Sequence, residues 1–338
     1  MCQPKDFAAV QRKIEAMSRF LMRILTAIQL TRLTIAFGGV SDIWFIILLT
    51  RAEPQYTHIH VHNLPVGLSL VAGAVLALGL FAHGAALNDL LDLQHDSAFS
   101  PDRPIPAGRI RIGQAVVITI GALLLAFLGA SILGVWAVVL TLLMAAGLLF
   151  YNTAGKFIPA VGFTTIGLLY VVHMLIPNHE LSFTLPLWLI MTHIMAISMV
   201  VHLLEEKRPR ITTQTIVMTS LAWIFWSAII IGAGLMTQGS LWPAGISPWA
   251  VVYPLIAVAG FLVVVQWKLR SIDPRAGAEK LRRYGAMWQS LYAAAWLLAL
   301  DLIPEAIGMG IFALVGFCVM TMIREVAGLT GRPVAFRS

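Results

Sequence analysis

The stretch IGQAVVITIGALLLAFLGA, residues 112–130, contains no charged side chain. Its length approaches the roughly 20 apolar residues that an α-helix needs to cross a bilayer. The whole chain has the same character, since 59% of its 338 residues are hydrophobic and 12% are charged, against about a quarter in soluble domains. Long apolar runs with few charges are 33–50, 66–87, 112–130, 133–150, 158–177, 185–204, 215–236, 249–267, 287–303 and 305–323. The sequence predicts an all-α, multi-pass transmembrane helical bundle.

The predicted number of spans is nine or ten. The stretch 287–303 is short for a span and could instead form a partly inserted hairpin. The single transmembrane domain is predicted to cover residues 29–325, followed by a tail over 326–338. Residues 1–28 carry apolar side chains at helical spacing among basic ones. That pattern is typical of an amphipathic helix at the membrane surface, although an extension of the first span explains it equally well.

The basic residues indicate the orientation of the bundle. If the N-terminus lies in the cytoplasm, every lysine and arginine except Arg51 falls on the cytoplasmic side, as the positive-inside rule requires. The net charge of +7 therefore reflects topology rather than nucleic-acid binding. We predict an integral protein of the inner or plasma membrane. Cys2 and Cys318 give no disulfide framework.

Two connections concentrate acidic side chains. NDLLDLQHDSAFSPDRPIPAGR (88–109) holds four of the sixteen acids, and HLLEEKRPRIT (202–212) holds two more. Four predicted spans separate the two connections, so both should face the cytoplasm. Each runs from acids into an Arg-Pro pair. This echo predicts two pseudo-repeated four-helix halves around a central cavity that opens to the cytoplasmic side.

The first acidic connection has the spacing of a metal site. On a helix that continues the second span, Asn88, Asp92 and Asp96 fall at positions i, i+4 and i+8 and share one face. Oxygen donors without sulfur suit a hard cation such as Mg²⁺, which completes its shell with water and phosphate oxygens. A solvated loop with incidental acids is the alternative, and the position at the membrane edge favours the metal.

The same residues carry a family resemblance. NDLLDLQHD (88–96) resembles the NDxxDxxxD motif of the UbiA-type intramembrane prenyltransferases, and SPDRPIPAGRI (100–110) is similar to the usual continuation in that family. The resemblance implies transfer of an isoprenyl group from its diphosphate to an acceptor inside a helical bundle. Two acidic motifs of the family hold Mg²⁺ and the diphosphate. It also implies that Asn88, Asp92 and Asp96 form the first metal-binding motif.

The second motif departs from the aspartate-rich pattern of the family. The matching positions offer His202, Glu205 and Glu206, and both glutamates are candidate metal ligands. We expect Glu206 to point toward the first motif, because it lies four residues after His202 and would share its helix face. A helix cannot direct adjacent residues to the same side, so Glu205 is the second choice.

Basic residues are the expected partners of the diphosphate. YNTAGK (151–156) resembles the Tyr-x3-Lys of the family in a stretched form, and it places Lys156 alone in its loop. Lys156, with Asp92 and Asp96, is a predicted catalytic residue, although it could instead serve only to set topology. The candidate diphosphate-binding residues are Lys156, Arg103, Lys207, Arg208 and Arg32.

Other polar residues have weaker assignments. Asp42 lies within the first span, where it could line an acceptor pocket or pair with a polar group. His83 could border the cavity. HIHVH (58–62) would present three histidines on one face of an extended segment, and it is expected to be an ordinary outer loop.

The predicted function is Mg²⁺-dependent transfer of an isoprenyl group to an unidentified aromatic or lipid-like acceptor within the membrane. The expected partners are the isoprenyl diphosphate, the acceptor and membrane lipid, with no nucleic acid. A UbiA-like terpene cyclase would use the same site without an acceptor. A secondary transporter is the alternative from another class, because repeated halves and intramembrane ionisable residues also occur there.

Overall fold

A computed structural model describes residues 36–270 and 272–329. Within these ranges the chain forms helices and connecting turns and no strand. The long helices and one short one are α1 (Phe37–Ala52), α2 (Val66–Leu91), α3 (Leu93–Phe99), α4 (Ile112–Leu133), α5 (Val135–Thr153), α6 (Pro159–Leu175), α7 (Leu185–Leu204), α8 (Thr213–Gln238), α9 (Val252–Leu269), α10 (Pro274–Ala299) and α11 (Ile303–Leu329). The predicted all-α class is confirmed. The predicted surface helix, 1–28, and residues 330–338 of the predicted tail lie outside the described residues.

Seven helices of the described part are long and apolar enough to cross a membrane, namely α2, α4, α5, α7, α8, α9 and α11. Of the others, α6 is apolar but has 17 residues, and α1 has 16. Helix α10 differs from the seven because its first half carries many charged residues. The protein is an integral membrane protein, and the count of nine or ten spans stays a prediction.

Helix α10 is one continuous helix of 26 residues, where the sequence also allowed a short inserted hairpin. It begins far upstream of the predicted span because Asp273 caps its first turn. The Asp273 carboxylate accepts hydrogen bonds from the amides of Arg275 (3.0 Å) and Ala276 (3.3 Å), and Pro274 fits the first helical position. The charged first half of α10 is therefore helical although it is not apolar.

Helix α1 lies in the interior of the bundle and packs against α2, α6 and α10. Its side chains Ile43, Ile46 and Ile47 are fully buried. By contrast, large apolar side chains are exposed along the outer helices, such as Val117 on α4 and Val263 on α9. An apolar exterior of this extent fits contact with lipid rather than water.

Small residues bring α2 and α4 into close contact. A methyl group added at Gly79 would lie 2.6 Å from the Ala126 amide nitrogen, and one at Gly129 would lie 2.5 Å from the Ala72 carbonyl oxygen. Close backbone approach over small residues is a common means of packing membrane helices. This contact fixes the position of α2, whose last turn carries the first acids.

Helices α2, α5 and α7 end on the same side of the bundle. The loop after α5 returns to the end of α2, since Lys156 contacts Asn88. The ring of His202, near the end of α7, meets that of Phe163, near the start of α6, with centroids 5.4 Å apart. Both acidic connections therefore lie at this side, which we name the acid end. That the acid end faces the cytoplasm, and that two repeated halves surround a cavity, stay predictions.

Candidate active site

The first acidic motif keeps helical spacing although the helix is interrupted at Asp92. Helix α2 ends at Leu91 and α3 begins at Leu93. The Asp92 amide still donates to the Asn88 carbonyl (2.9 Å), and the Asp96 amide donates to the Asp92 carbonyl (2.8 Å). The three residues therefore succeed one another at intervals of one turn. We call Asn88, Asp89, Asp92 and Asp96 the first acid cluster.

Lys156 joins the first acid cluster from the other side. It lies in the short turn Gly155–Phe157 between α5 and α6. Its Nζ is 2.5 Å from Asp92 Oδ1 and 3.3 Å from Asn88 Oδ1. The side chains of Lys156 and Asp92 are 15% and 17% exposed, so the pair is largely enclosed but open to a small ligand.

Arg103 holds the deeper acids of the cluster. Its Nη1 donates to Asp96 Oδ2 and lies 3.3 Å from Asp89 Oδ1. The three side chains are at most 7% exposed. Burial raises the pKa of the Asp96 carboxyl above its usual range, while the charge and hydrogen bond of Arg103 act in the opposite direction. The guanidinium was expected to meet diphosphate, and the structure commits it to two buried carboxylates.

Asp89 is the site residue that sequence reasoning missed. It lies one residue outside the i, i+4, i+8 series, so the helix-face criterion did not select it. The available signal was the presence of Arg103 in an acidic connection, since a guanidinium has five N–H donors and can meet more than one carboxylate.

The second acidic connection is organised around Glu205. Its carboxylate is 7% exposed, contacts the Arg282 guanidinium from α10, and lies 3.1 Å from Lys207 Nζ. Glu206 is exposed and has a left-handed backbone with φ of 49°. The expected inward position of Glu206 is therefore wrong, because α7 ends at Leu204 and helical geometry no longer relates the residues that follow.

His202 is also engaged within its own connection. Its Nε2 lies 2.8 Å from the Pro209 carbonyl oxygen. This contact closes the loop after α7 over the end of the helix. Arg208, in the same loop, is exposed, and Arg32 lies outside the described residues.

The other predicted polar residues have separate partners. Asp42 is buried, and the Gln289 amide, oriented to satisfy its neighbours, donates to Asp42 Oδ2 (3.2 Å). His83 Nδ1 lies 3.0 Å from the Thr119 carbonyl oxygen. The HIHVH segment is not extended throughout, because His60–Asn63 forms a helical turn. His58 in that segment pairs instead with Glu180, at 2.8 Å.

The donors of the first acid cluster fit Mg²⁺ in their chemistry. Carboxylate and amide oxygens are the ligands this ion prefers, and one or two carboxylates suffice when phosphate and water complete its shell. Over the described ranges, no three His, Cys, Asp or Glu side chains already converge as ligands of one ion. The Asp96 carboxylate already forms a buried ion pair with Arg103. Asn88 and Asp92 are therefore the residues best placed to hold the metal.

The two glutamates of the second connection give a direct test of this arrangement. We expect Glu205→Gln to lower the free energy of unfolding by about 1–3 kcal/mol, because it removes the charge that pairs with Lys207 and Arg282. Glu206→Gln should leave stability close to wild type, since its side chain is exposed. Thermal unfolding of both variants in the same detergent measures the difference. A larger loss for Glu206→Gln would contradict the structure.

The fold and the site define a helical membrane protein with a charged site at one end of its bundle. The chain belongs to the UbiA prenyltransferase family, whose model matches residues 57–291. That match includes both acidic connections and Lys156.

Similar proteins agree with this assignment. A digeranylgeranylglyceryl phosphate synthase of Saccharolobus solfataricus is 33% identical over 79 residues, which are 23% of this chain and 28% of the relative. The enzyme of the same name from Methanosarcina barkeri is 35% identical over 132 residues, 37% of this chain and 42% of that protein. The chain therefore spans less than half the length of these curated relatives. The match to the apo structure of a UbiA homolog from Aeropyrum pernix K1 covers 80% of this chain and 98% of that chain, with a TM-score of 0.52 and 14% identity. That likeness shows the fold.

Proposed function

We propose that the protein transfers an isoprenyl group from an isoprenyl diphosphate to a lipid-like acceptor within the membrane, with Mg²⁺ as cofactor. The observation that carries the proposal is the contact of Lys156 Nζ with Asp92 Oδ1 and Asn88 Oδ1, at 2.5 and 3.3 Å. A cation beside two oxygen donors, at the end of an apolar bundle, suits the head group of a lipid-tailed diphosphate. Membership of the UbiA family supports the same reaction.

The reaction requires charge stabilisation rather than a covalent catalyst. The bond between C1 of the isoprenyl chain and the diphosphate oxygen breaks, and its electron pair leaves with the diphosphate. A hydroxyl oxygen of the acceptor then forms a bond to C1 and loses its proton to the released diphosphate. Bound Mg²⁺ would neutralise charge on the leaving diphosphate. Lys156 would donate a hydrogen bond to a phosphate oxygen as a point charge.

The remaining site residues support this arrangement. In the proposal, Asn88 and Asp92 hold the metal, while Arg103 fixes Asp96 and keeps its carboxylate from repelling the others. Glu205 would have to exchange two cations, Arg282 and Lys207, to bind a metal. Asp92 would have to release only Lys156, so we place the metal at the first acid cluster. Arg208 is proposed to attract the diphosphate, because its exposed charge lies in the second acidic connection, at the acid end.

The acceptor is proposed to carry a glycerol phosphate group. The curated relatives are digeranylgeranylglyceryl phosphate synthases by name, which motivates a prenylated glyceryl phosphate as the first substrate to test. An aromatic acceptor is the competing possibility.

A reconstitution assay tests the proposal. Purified protein receives geranylgeranyl diphosphate and Mg²⁺ with geranylgeranylglyceryl phosphate, with 4-hydroxybenzoate, or with no acceptor. We expect release of pyrophosphate and a doubly prenylated lipid only with the first acceptor, loss of both with EDTA, and recovery when Mg²⁺ is restored. A cyclised product without acceptor would favour the terpene cyclase. No turnover under any condition would contradict the enzyme assignment.

A further inference from the structure

Asn152, in the last turn of α5, holds a buried oxygen that the reaction scheme does not use. The residue is 3% exposed. Its Nδ2 donates to the Leu148 carbonyl oxygen at 2.9 Å, whereas Oδ1 has no hydrogen-bond partner among the residues that the structure describes. Buried polar atoms are nearly always paired, so an unpaired one calls for a partner such as a bound water or ion.

The register of two helices places Asn152 at the site. Helices α2 and α5 run in the same direction and both end at the acid end. They touch one turn earlier, where a methyl group at Gly84 would lie 3.2 Å from Leu148 Cδ2. Asn88 and Asn152 each follow four residues later, which is about one turn. Asn152 therefore lies at the level of Asn88 and shares the face of α5 that packs on α2.

The hydrogen bond of Asn152 also orients its amide. Because Nδ2 turns back to the preceding turn, Oδ1 on the other branch of the planar group faces away from that turn. An amide carbonyl is a hard, neutral donor of the kind that binds Mg²⁺ or Ca²⁺.

We propose that Asn152 Oδ1 is a further oxygen ligand of the divalent cation held by Asn88 and Asp92. The proposal rests on the proposed function for the presence of that cation. It adds a ligand from a second helix, so the metal would link α2 to α5. Lys156, four residues after Asn152, would then lie close to the diphosphate.

Thr141 supplies a matched control on the same helix. It is fully buried, and its Oγ1 donates to the Ala137 carbonyl oxygen at 2.7 Å. Its hydrogen bond spans four residues, as that of Asn152 does. It lies about three turns from Asn152, away from the acid end.

The experiment measures Mn²⁺ binding to the full-length purified protein by electron paramagnetic resonance, with no diphosphate added. We expect Asn152→Leu to raise the Kd at least about tenfold, and Thr141→Val to leave it unchanged. Asn152→Asp should bind at least as tightly as wild type, because it keeps the oxygen and adds a charge. If Asn152 had only a structural role, Asn152→Asp should instead weaken Mn²⁺ binding, because aspartate cannot donate the hydrogen bond to the Leu148 carbonyl oxygen.

Each outcome has a distinct meaning. Wild-type affinity in Asn152→Leu, or weaker binding in Asn152→Asp, overturns the assignment of Asn152; the second variant decides if the first does not fold. Wild-type protein that binds Mn²⁺ no better than Asp92→Asn overturns the metal site itself. Asn152-dependent binding in a protein that transfers no isoprenyl group would contradict only the proposed function.

Discussion

Replacing Asp92 with asparagine is expected to lower isoprenyl transfer by on the order of 10²–10³-fold, the loss that follows removal of one group that stabilises transition-state charge. The substitution preserves shape and one oxygen but removes the charge that lies 2.5 Å from Lys156 Nζ. A neutral amide binds a divalent cation less tightly than a carboxylate, and it no longer balances the lysine. The measurement is kcat/KM for geranylgeranyl diphosphate at a Mg²⁺ concentration that saturates the wild type, with thermal unfolding to show that the variant is folded.

Asp102 gives the control from the same connection. Its side chain is exposed, so Asp102→Asn makes the same chemical change without touching the first acid cluster. We expect its activity to stay near wild type. If higher Mg²⁺ concentration partly restores Asp92→Asn, the loss lies in metal binding. Equal activity of the two variants would remove Asp92 from the site.

Most of the helices were predictable because the length of an apolar run can be read from the sequence alone. The stretch 112–130 lies within α4 (Ile112–Leu133), and 185–204 is the extent of α7. Helix α10 shows the limit of this criterion. Its first half is amphipathic, so hydropathy located only the part from residue 287, whereas the cap at Asp273 begins the helix 13 residues earlier.

The candidate site was only partly predictable, for a different reason. Helical periodicity relates Asn88, Asp92 and Asp96, which are close in sequence. The partners of these acids follow from tertiary packing, and no local pattern indicates that Lys156 reaches Asn88. Arg282 in α10 lies far along the chain from Glu205, and the contact between them depends on how α7 and α10 pack.

The position of Glu206 was mispredicted because a helix was assumed where none continues. The rotation of about 100° per residue applies only within the helix, and α7 ends at Leu204. Beyond that point the left-handed conformation of Glu206 turns its side chain outward and leaves Glu205 enclosed. The acidic residues located the connection, whereas helical periodicity selected the wrong one of its two glutamates.

Arg103→Gln is expected to lower the free energy of unfolding by about 3–5 kcal/mol, the usual effect of removing one partner from a buried ion pair. The guanidinium lies between Asp89 and Asp96, and all three side chains are at most 7% exposed. Without it, the carboxylates of Asp89 and Asp96 lose the guanidinium that lies between them, and their repulsion raises the cost of burying both charges. Arg111→Gln, at the exposed N-cap position of α4 two residues after the first acidic connection, should leave stability nearly unchanged.

The pH dependence of this loss distinguishes a charge effect from a packing effect. Burial already raises the pKa of Asp96 in the folded state, and removing Arg103 should raise it further. An acid with a raised folded-state pKa binds its proton more tightly when folded, so stability falls as pH rises from the ordinary value of that acid toward the folded value. The destabilisation of Arg103→Gln should therefore be smaller at pH 5 than at pH 8, as measured by thermal unfolding in detergent. An equal loss at both pH values would show that Arg103 acts by filling space, and that the carboxylates of the first acid cluster do not depend on its charge.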